Sequence, residues 1–508
     1  MRIYSKLLLS SIIALHLTNV IFAQTAKKPN VILIYTDDLG YGDVSCNGTS
    51  AIATPNIDKL AKTGVRFTNA HATSATCTPS RFSLLTGKYA WRKQGTGIAP
   101  GDASLLIPTN ITTLPGMFQK AGYKTAVVGK WHLGLGGENG PDWNGDIKPG
   151  PLEIGFDYSF LIPATGDRVP CVFVENRNVI NLDKNDPIIV NYKKPIDSSD
   201  PTGKKNPELL KQIPSHGHDQ SIVNGISRIG YMKGGKSALW RDEDFAQTFL
   251  AKAQNFISKN KKNPFFLYFS THDIHVPRLP HEKFAGKSGF GPRGDVLLQL
   301  DWTVGELYKY LEKNKLLENT IIVFTSDNGQ VIDDGYHDEA VTKLGKHNPS
   351  GNFRGGKYSA FEAGTRVPFI VTWKGKLSPN KVSDALFSQI DLYASLAKIV
   401  NGKVDENMAP DSKDFSETLL NKKSLSREYI VEQALNNTLS IVSGNWKYIE
   451  PSNGSPINKN TNTETGNLKV PQLYNLSIDI GEKNNVAQQF PDIVKQLQEL
   501  LSKVKAGS

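Results

Sequence analysis

Four short apolar segments, each followed directly by polar or charged residues, give the clearest indication of the fold. They are 30–36 (NVILIYT), 124–129 (KTAVVG), 264–271 (PFFLYFST) and 320–326 (TIIVFTS). Their β-branched and aromatic residues are typical of strands that are buried on both faces of a sheet. Helix-like segments lie between them, at 54–64, 113–123, 242–260 and 296–314. The alternation predicts an α/β fold with a large mixed, mainly parallel sheet between layers of helices.

The residues that follow these segments are candidates for a functional site, because ligands of such sheets bind outside the carboxyl ends of the strands. Asp37 and Asp38 follow the first segment, and Asp327 and Asn328 follow the fourth. An adjacent Asp pair alone is usually a turn or a helix cap. Two such clusters at strand ends instead predict a site for a hard divalent cation such as Ca²⁺ or Mg²⁺, which prefers oxygen ligands.

Basic residues from distant parts of the chain lie beside the same strand ends or beside glycine-rich loops. They are Arg81, Lys130, His132, His275 and Lys357. Each of them alone is more often a surface cation or a hydrogen-bonded histidine. Together with a metal ion, they would supply the fixed positive charge that binding and reaction of phosphate or sulfate require. The sequence therefore predicts chemistry on a small, dense anion.

Cys77 opens the stretch CTPSRFSLLTG. Pro79 suits the first turn of a helix that continues to Gly87, so Cys77 is expected at the helix N-terminus. There the helix dipole and Arg81 would favour an anion or a strong nucleophile. A soft thiolate is, however, a poor partner for a hard cation that prefers oxygen ligands. The sequence thus has a sulfur where the predicted chemistry needs an oxygen.

This stretch resembles the Cys-x-Pro-x-Arg signature, with a following Thr-Gly, of the type I sulfatases in the alkaline phosphatase superfamily. The resemblance continues in order through YTDDLGYGD, GKWHLG, THDIHVP, TSDNG, RGGKYSAFEAGTRVPFIV and LYNLSIDIGEKNNVA. It implies an alkaline phosphatase-like main domain and a smaller C-terminal α+β subdomain with an antiparallel sheet. In this family the cysteine is oxidised to Cα-formylglycine, whose hydrated aldehyde provides the oxygen nucleophile.

The resemblance also implies a role for each candidate residue. The expected ligands of Ca²⁺ are, with the modified residue 77, Asp37, Asp38, Asp327 and Asn328. Arg81 and Lys130 would hold the hydrate, and Lys357 would neutralise the sulfate oxygens. His275 would protonate the departing sugar oxygen. His132 would take a proton from the hydrate, which expels sulfate and restores the aldehyde.

The segment 155–241 resembles secreted carbohydrate sulfatases of gut and marine Bacteroidetes. We therefore expect a sulfated saccharide as substrate and favour a galactose-type residue, such as 6-sulfated galactose or N-acetylgalactosamine. Candidate sugar contacts, each with a structural role as an equal alternative, are Arg168, His218 and Arg354.

Two other functions stay open. A phosphodiesterase or phosphonate hydrolase of the same superfamily can use the same metal site and even formylglycine. A non-catalytic protein that binds sulfated glycans is the other alternative. Such a binder would be expected to have lost part of the catalytic set, which is present here.

Residues 1–23 have the layout of a secretory signal peptide, because Arg2 and Lys6 precede an apolar run that ends at Ala23. An uncleaved membrane anchor is the alternative. No other segment approaches the roughly 18 apolar residues that a spanning helix needs. We expect an exported protein, periplasmic or secreted, without a membrane span in its mature form. Its expected partners include the export machinery and the maturation enzyme that makes formylglycine.

The rest of the chain is predicted to form a catalytic domain (28–424) and a C-terminal subdomain (425–508). We interpret the polar stretch 452–467 as a solvated loop rather than as a rim of the substrate cleft. The formal net charge of +10 favours acidic partners, although a solvated lysine-rich surface explains it equally well. No nucleic-acid module is found, so no such partner is expected.

The odd number of cysteines in so large a chain argues against a disulfide framework. The three are Cys46, Cys77 and Cys171. Whether Cys46 pairs with Cys171 is left open by the sequence.

Overall fold

The structure is a computed structural model that describes residues 27–48, 51–405 and 407–507. The predicted signal peptide, residues 1–23, lies outside the described residues. Across the described ranges, no helix is both long and apolar enough to cross a membrane. The three cysteines form no disulfide, so Cys46 and Cys171 are not paired.

The secondary structure alternates between strands and helices along most of the chain. Within the described ranges, the α-helices are α1 (Pro55–Lys62), α2 (Cys77–Thr86), α3 (Leu114–Lys120), α4 (Phe245–Asn260), α5 (Gly291–Lys313), α6 (Glu362–Thr365), α7 (Leu392–Val400), α8 (Ser416–Leu419) and α9 (Pro491–Ala506). The strands are β1 (Asn30–Thr36), β2 (Gly64–Phe67), β3 (Ala70–His71), β4 (Lys124–Lys130), β5 (Tyr158–Ile162), β6 (Val174–Glu175), β7 (Asn178–Val179), β8 (Ile189–Asn191), β9 (Ile222–Val223), β10 (Ile226–Ser227), β11 (Tyr231–Lys233), β12 (Phe265–Ser270), β13 (Thr320–Ser326), β14 (Phe369–Thr372), β15 (Lys381–Ser383), β16 (Phe387–Ser388), β17 (Tyr429–Gln433), β18 (Leu439–Ser443), β19 (Trp446–Ile449), β20 (Ile457–Asn458), β21 (Thr463–Glu464) and β22 (Gln472–Asn475).

A ten-stranded sheet forms the centre of the main domain, in the order β15-β2-β14-β13-β1-β12-β4-β5-β6-β7. The neighbouring strands β13, β1, β12, β4 and β5 run parallel to one another. Antiparallel pairs flank them, at β14 on one side and at β6 and β7 on the other. The predicted mixed, mainly parallel sheet is confirmed.

Helices cover both faces of this sheet. Phe265 and Phe266 are consecutive residues of β12, so their side chains point to opposite faces. Phe266 stacks on Phe118 of α3, with ring centroids 4.2 Å apart, and Phe265 meets Phe256 of α4 edge to face at 6.0 Å. All residues of β1, β12 and β13 are buried, which explains why these segments contain almost no polar residues before their ends.

Some element boundaries differ from the predicted ones. The helix predicted at 296–314 begins earlier, at Gly291, because Pro292 is accommodated in its first turn. The segment 439–450 forms two strands, β18 and β19, because the chain turns at Gly444, whose φ is +55°. Glycine adopts this left-handed conformation without a steric penalty.

The C-terminal subdomain is built on the antiparallel sheet β17-β18-β19-β22 and on α9. Leu497, Leu501 and Val504 of α9 share an apolar cluster with the sheet and with Tyr89 and Ile390 of the main domain. The subdomain is therefore packed directly against the main domain. Its predicted antiparallel sheet is confirmed, whereas the boundary between residues 424 and 425 stays a prediction.

Candidate active site

The two acidic strand ends lie side by side. Thr36 of β1 is opposite Ser326 of β13 in a parallel pair, so the residues that follow both strands meet at one edge of the sheet. The backbone N–H of Asp38 donates a hydrogen bond to Asp327 Oδ1 at 3.3 Å. Asn328 Nδ2 donates to Asp38 Oδ1 at 2.7 Å. The structure thus brings together the four residues that we expect to bind a cation.

Each carboxylate of this cluster has a buried lysine or arginine as its nearest basic partner. The pairs are Asp37 with Lys130 (Oδ2 to Nζ, 2.6 Å), Asp38 with Lys357 (Oδ2 to Nζ, 2.9 Å) and Asp327 with Arg81 (Oδ2 to Nη2, 2.7 Å). All six side chains are at most 2% exposed. Their formal charges cancel, so a divalent cation would make the cluster positive and would favour a bound anionic ester.

Two buried oxygens of the cluster accept no hydrogen bond: Asp37 Oδ1 and Asn328 Oδ1. Such orphaned acceptors are rare in folded proteins and require an explanation, for which a bound ion is one candidate. The oxygen-only donor set that they form with Asp38 and Asp327 suits a hard cation better than zinc. The residues present therefore fit Ca²⁺.

Cys77 is the first residue of α2, as predicted, and the helix ends before Gly87, which has a left-handed φ of +66°. The Cys77 side chain is buried, and its Sγ lies 3.1 Å from His132 Nδ1. Burial raises the pKa of the Cys77 thiol. The thiol is therefore protonated at neutral pH and is a weak nucleophile as encoded.

His132 has its tautomer determined by a main-chain carbonyl. His132 Nε2 lies 2.9 Å from the carbonyl oxygen of Ala99, which can only accept, so Nε2 carries the proton. Burial and the charge of Lys130 lower the pKa of His132 well below its usual value. Its Nδ1 is thus an unprotonated nitrogen that faces Cys77, as a general base requires.

His275 presents the opposite nitrogen to the site. His275 Nδ1 donates to the carbonyl oxygen of Val276 at 2.7 Å, and Nε2 lies 3.3 Å from Lys357 Nζ. Burial and the neighbouring Lys357 charge lower the pKa of His275. The Lys357 ammonium is therefore the hydrogen-bond donor nearest to the nitrogen that we expect to protonate a leaving group.

A cavity of about 300 Å³ opens onto Cys77, His275 and Lys357. Asp334, which the sequence analysis missed, also lines it, and its Oδ2 binds Lys357 Nζ at 2.7 Å. Burial opposes ionisation of Asp334, but the charge and hydrogen bond of Lys357 together with the neighbouring His275 outweigh burial and lower the pKa of this carboxyl. An adjacent acidic pair, Asp333 and Asp334, was visible in the sequence but does not follow an apolar strand.

Two of the three predicted sugar contacts line this cavity. Arg168 Nη1 and His218 Nε2 each lie 2.9 Å from the carboxylate of Asp167, which the sequence analysis also missed. Arg354 lies elsewhere, because its guanidinium binds both carboxylate oxygens of Glu464 at 2.8 and 2.9 Å and borders a different cavity. The structure does not bring Arg354 together with the other two.

The interpretation of the polar stretch 452–467 as a solvated loop is wrong. Strands β20 and β21 form a hairpin within it, and Asn458, Asn460 and Thr461 line the cavity that contains Cys77. A solvated loop and a rim of a substrate cleft are both rich in polar residues, so the local sequence does not distinguish the two. The difference arises because the C-terminal subdomain is packed against the main domain beside the cavity.

The parallel sheet, the oxygen-rich cluster at its carboxyl edge and the buried bases define a hydrolase of small anionic esters. The Sulfatase family model matches residues 29–402, and the chain belongs to the sulfatase family. It is a sulfuric ester hydrolase of the type I class, in the alkaline phosphatase superfamily.

Individual relatives cover nearly the whole chain. The chain is 59% identical over 482 residues to an N-acetylgalactosamine-6-O-sulfatase of Bacteroides thetaiotaomicron. The alignment covers 95% of this chain and 94% of the relative. The chain is 31% identical to human arylsulfatase A, over 94% of this chain and 87% of that enzyme. A solved 6S-sulfatase structure, described with the metabolism of glycosaminoglycans by B. thetaiotaomicron, matches with a TM-score of 0.93, at 59% identity, over 95% of this chain and 100% of the other.

Proposed function

We propose that this protein hydrolyses the sulfate ester of a 6-sulfated galactose-type sugar in a glycan, with N-acetylgalactosamine 6-sulfate as the preferred unit. The observation that carries the reaction type is Cys77 Sγ at 3.1 Å from the unprotonated Nδ1 of His132, beside the oxygen-rich cluster. The sugar is proposed from the 59% identity to an enzyme named for that substrate.

Residue 77 acts as Cα-formylglycine, and Ca²⁺ is the resident cation. The Ca²⁺ ligands are the modified residue 77 with Asp37, Asp38, Asp327 and Asn328. When present, the hydrated aldehyde supplies an oxygen nucleophile and Ca²⁺ supplies Lewis-acid stabilisation of the sulfate charge. This chemistry resolves the mismatch between a protonated, buried thiol and a hard cation site.

The basic residues hold the reacting groups and move protons. Lys130 and Arg81 bind Asp37 and Asp327 and so hold these carboxylates in a fixed orientation. The ammonium of Lys357 neutralises sulfate oxygens in the cavity. These three cations replace solvent around the anion, and they need no reorganisation during the reaction.

The two histidines have separate proton-transfer roles. His132 Nδ1 accepts a proton at residue 77 when sulfate is expelled. His275 Nε2, which lies 3.3 Å from Lys357 Nζ, is the ring nitrogen that faces the site, and the protonated imidazole donates a proton from it to the departing sugar oxygen. Protonation by His275 matters because an unprotonated sugar alkoxide is a poor leaving group.

Maturation has to precede folding. Cys77 is only 2% exposed, so a modifying enzyme can reach its Cβ only in an unfolded chain. We propose that the formylglycine-generating enzyme acts before export of the chain, which residues 1–23 direct to the periplasm or the exterior.

Purified protein, coexpressed with a formylglycine-generating enzyme, tests the proposed function. Release of inorganic sulfate is measured from N-acetylgalactosamine 6-sulfate, galactose 6-sulfate and, as a matched control, N-acetylgalactosamine 4-sulfate. We expect the 6-sulfated sugars to be hydrolysed and the 4-sulfated sugar to be a poor substrate. Hydrolysis of an aryl phosphodiester without hydrolysis of any sulfate ester would instead assign the protein to the phosphodiesterases of the superfamily.

A further inference from the structure

We propose that the β20–β21 hairpin recognises the uncharged part of the sugar and thereby determines which sulfate esters are hydrolysed efficiently. The proposal rests on the proposed function, because it concerns the same cavity. It gives the C-terminal subdomain a direct role in specificity, through Asn460 and its neighbours Asn458 and Thr461.

Charge is distributed unequally around the cavity. Among the described residues, every ionisable side chain that lines the cavity belongs to a residue that precedes β17. Examples are Asp167, Arg168, His275 and Lys357. The residues that line it from the C-terminal subdomain are Leu435, Asn458, Asn460 and Thr461, all uncharged. A sulfated hexosamine has the same asymmetry, because its charge lies on one sulfate and its other polar groups are neutral. The sulfate therefore faces the main domain and the neutral groups face the hairpin.

The hairpin presents a side-chain amide, that of Asn460, that is available for hydrogen bonds with a ligand. Asn458 Oδ1 accepts from the backbone N–H of Asn460 at 3.1 Å, which shapes the turn. Within the described parts of the chain, the Asn460 side-chain amide makes no hydrogen bond to another residue. An amide offers two donors and an acceptor, so it can pair with a sugar hydroxyl or with an acetamido group. A carboxylated sugar would gain no countercharge from this wall.

The hairpin is attached firmly to the loop that contains Lys357. Glu464 binds Arg354 through both carboxylate oxygens, and its main-chain oxygen accepts from Ser359 Oγ at 2.6 Å. Next to it, the Thr465 carbonyl accepts from the backbone N–H of Ala360 at 2.8 Å. Arg354 is thus a positioning residue, which orients the sugar-binding wall without touching the sugar. A bidentate pair of this kind gives geometric specificity as well as energy.

The test compares Asn460→Ala with Lys459→Ala, a matched control on the same turn that does not line the cavity. For each, kcat/KM is measured on N-acetylgalactosamine 6-sulfate and on 4-nitrophenyl sulfate, which lacks sugar hydroxyls. We expect Asn460→Ala to lower the ratio of the two values by roughly 5-fold, the effect of one lost neutral hydrogen bond. Lys459→Ala should leave the ratio unchanged. An unchanged ratio in Asn460→Ala would overturn the proposal.

A binding measurement keeps the test independent of turnover. In the Cys77→Ala background, calorimetric titration with N-acetylgalactosamine 6-sulfate should show a Kd that Asn460→Ala raises by roughly 5-fold. Equal Kd values in the two proteins would refute recognition by the hairpin. If wild-type enzyme hydrolyses the aryl sulfate but neither hydrolyses nor binds the sugar sulfate, the proposed substrate is wrong instead.

The positioning role of Arg354 has its own readout. Glu464→Gln and Arg354→Gln should each raise KM for the sugar sulfate more than they change kcat. The double variant should be no worse than Arg354→Gln alone, which removes both the pair with Glu464 and the hydrogen bond from Arg354 to the Glu482 main-chain carbonyl. Equal losses of kcat on both substrates would show that the pair supports Lys357 rather than the sugar-binding wall.

Discussion

Cys77 Sγ lies 3.1 Å from His132 Nδ1, and the other ring nitrogen of His132 donates to a main-chain carbonyl. The carbonyl therefore determines which nitrogen faces the nucleophile position. This arrangement holds a neutral base against residue 77 without any charged partner for the imidazole. A carboxylate partner would instead stabilise the imidazolium and raise the pKa of the histidine.

Replacement of the nucleophile should abolish hydrolysis. Cys77→Ala removes the side chain that is oxidised, and we expect kcat on 4-nitrophenyl sulfate to fall by at least about 1,000-fold. Mass spectrometry of the peptide around residue 77 in wild-type protein should show the aldehyde or its hydrate. Normal turnover by Cys77→Ala, or a fully active protein with an unmodified thiol, would refute the mechanism.

The acid role of His275 predicts a dependence on the leaving group. His275→Ala should lower kcat on a sugar 6-sulfate by roughly 10²–10⁴-fold, because an alkoxide is a poor leaving group. The loss on 4-nitrophenyl sulfate should be far smaller, because nitrophenolate leaves without protonation. Parallel measurements on the two substrates decide the point, and equal losses on both would remove His275 from the acid role.

Removal of the cation should cost both activity and stability. Asp37 Oδ1 and Asn328 Oδ1 have no hydrogen-bond donor, so a ligand that binds only the folded state should raise Tm. We expect EGTA to abolish sulfate release and to lower Tm, and Ca²⁺ to restore both. Asn328→Ala should show a much smaller change of Tm on Ca²⁺ addition than wild type. An unchanged Tm after complete chelation would contradict a resident cation.

Glu482 predicts a specific pH dependence of stability. Burial, opposed by Lys447 and reinforced by Glu362, raises the pKa of Glu482 to about 8. Between the ordinary glutamate value and about 8, the folded state therefore holds a proton that the unfolded state has lost. Stability from this group is present at low pH and is lost as the pH rises through this window.

Denaturation of Glu482→Gln by urea at pH 5.5 and at pH 8.5 tests this sign. The variant has no titrating group at this position, so its free energy of unfolding should fall less between the two pH values than that of wild type. We expect a difference of at least about 1 kcal/mol. Parallel changes in both proteins would mean that Glu482 titrates normally. Glu499→Gln, which removes an exposed carboxylate of α9 in the same subdomain, is the matched control.

The local sequence pattern was sufficient to predict which residues lie at the centre of the site. The apolar segments that end in Asp37 and Asp327 form parallel neighbours, and parallel strands bring their carboxyl ends to one edge of the sheet. The cysteine at the start of a short helix was equally visible, because Pro79 and Gly87 mark its two ends. These features depend on residues close together in sequence.

Contacts at the rim could not be predicted in this way. Arg354 is beside the loop of Lys357 in sequence, yet its guanidinium binds Glu464, which is 110 residues away. Asp334 does not follow a strand, and its importance becomes visible only through its contact with Lys357. Side-chain direction and long-range pairing, rather than residue type, separate these residues from the other polar residues of the chain.

The sheet, the acidic and basic residues at its carboxyl edge and the sulfatase signature could all be predicted from the residues of the chain, because each depends on local periodicity or on short motifs. Three features became visible only in the folded protein: the nitrogen of His132 that faces Cys77, the position of Arg354, and the lining of the cavity by Asn458, Asn460 and Thr461. These outcomes depend on how the C-terminal subdomain packs on the main domain and on how buried polar groups find partners, both of which are decided by contacts between distant parts of the chain.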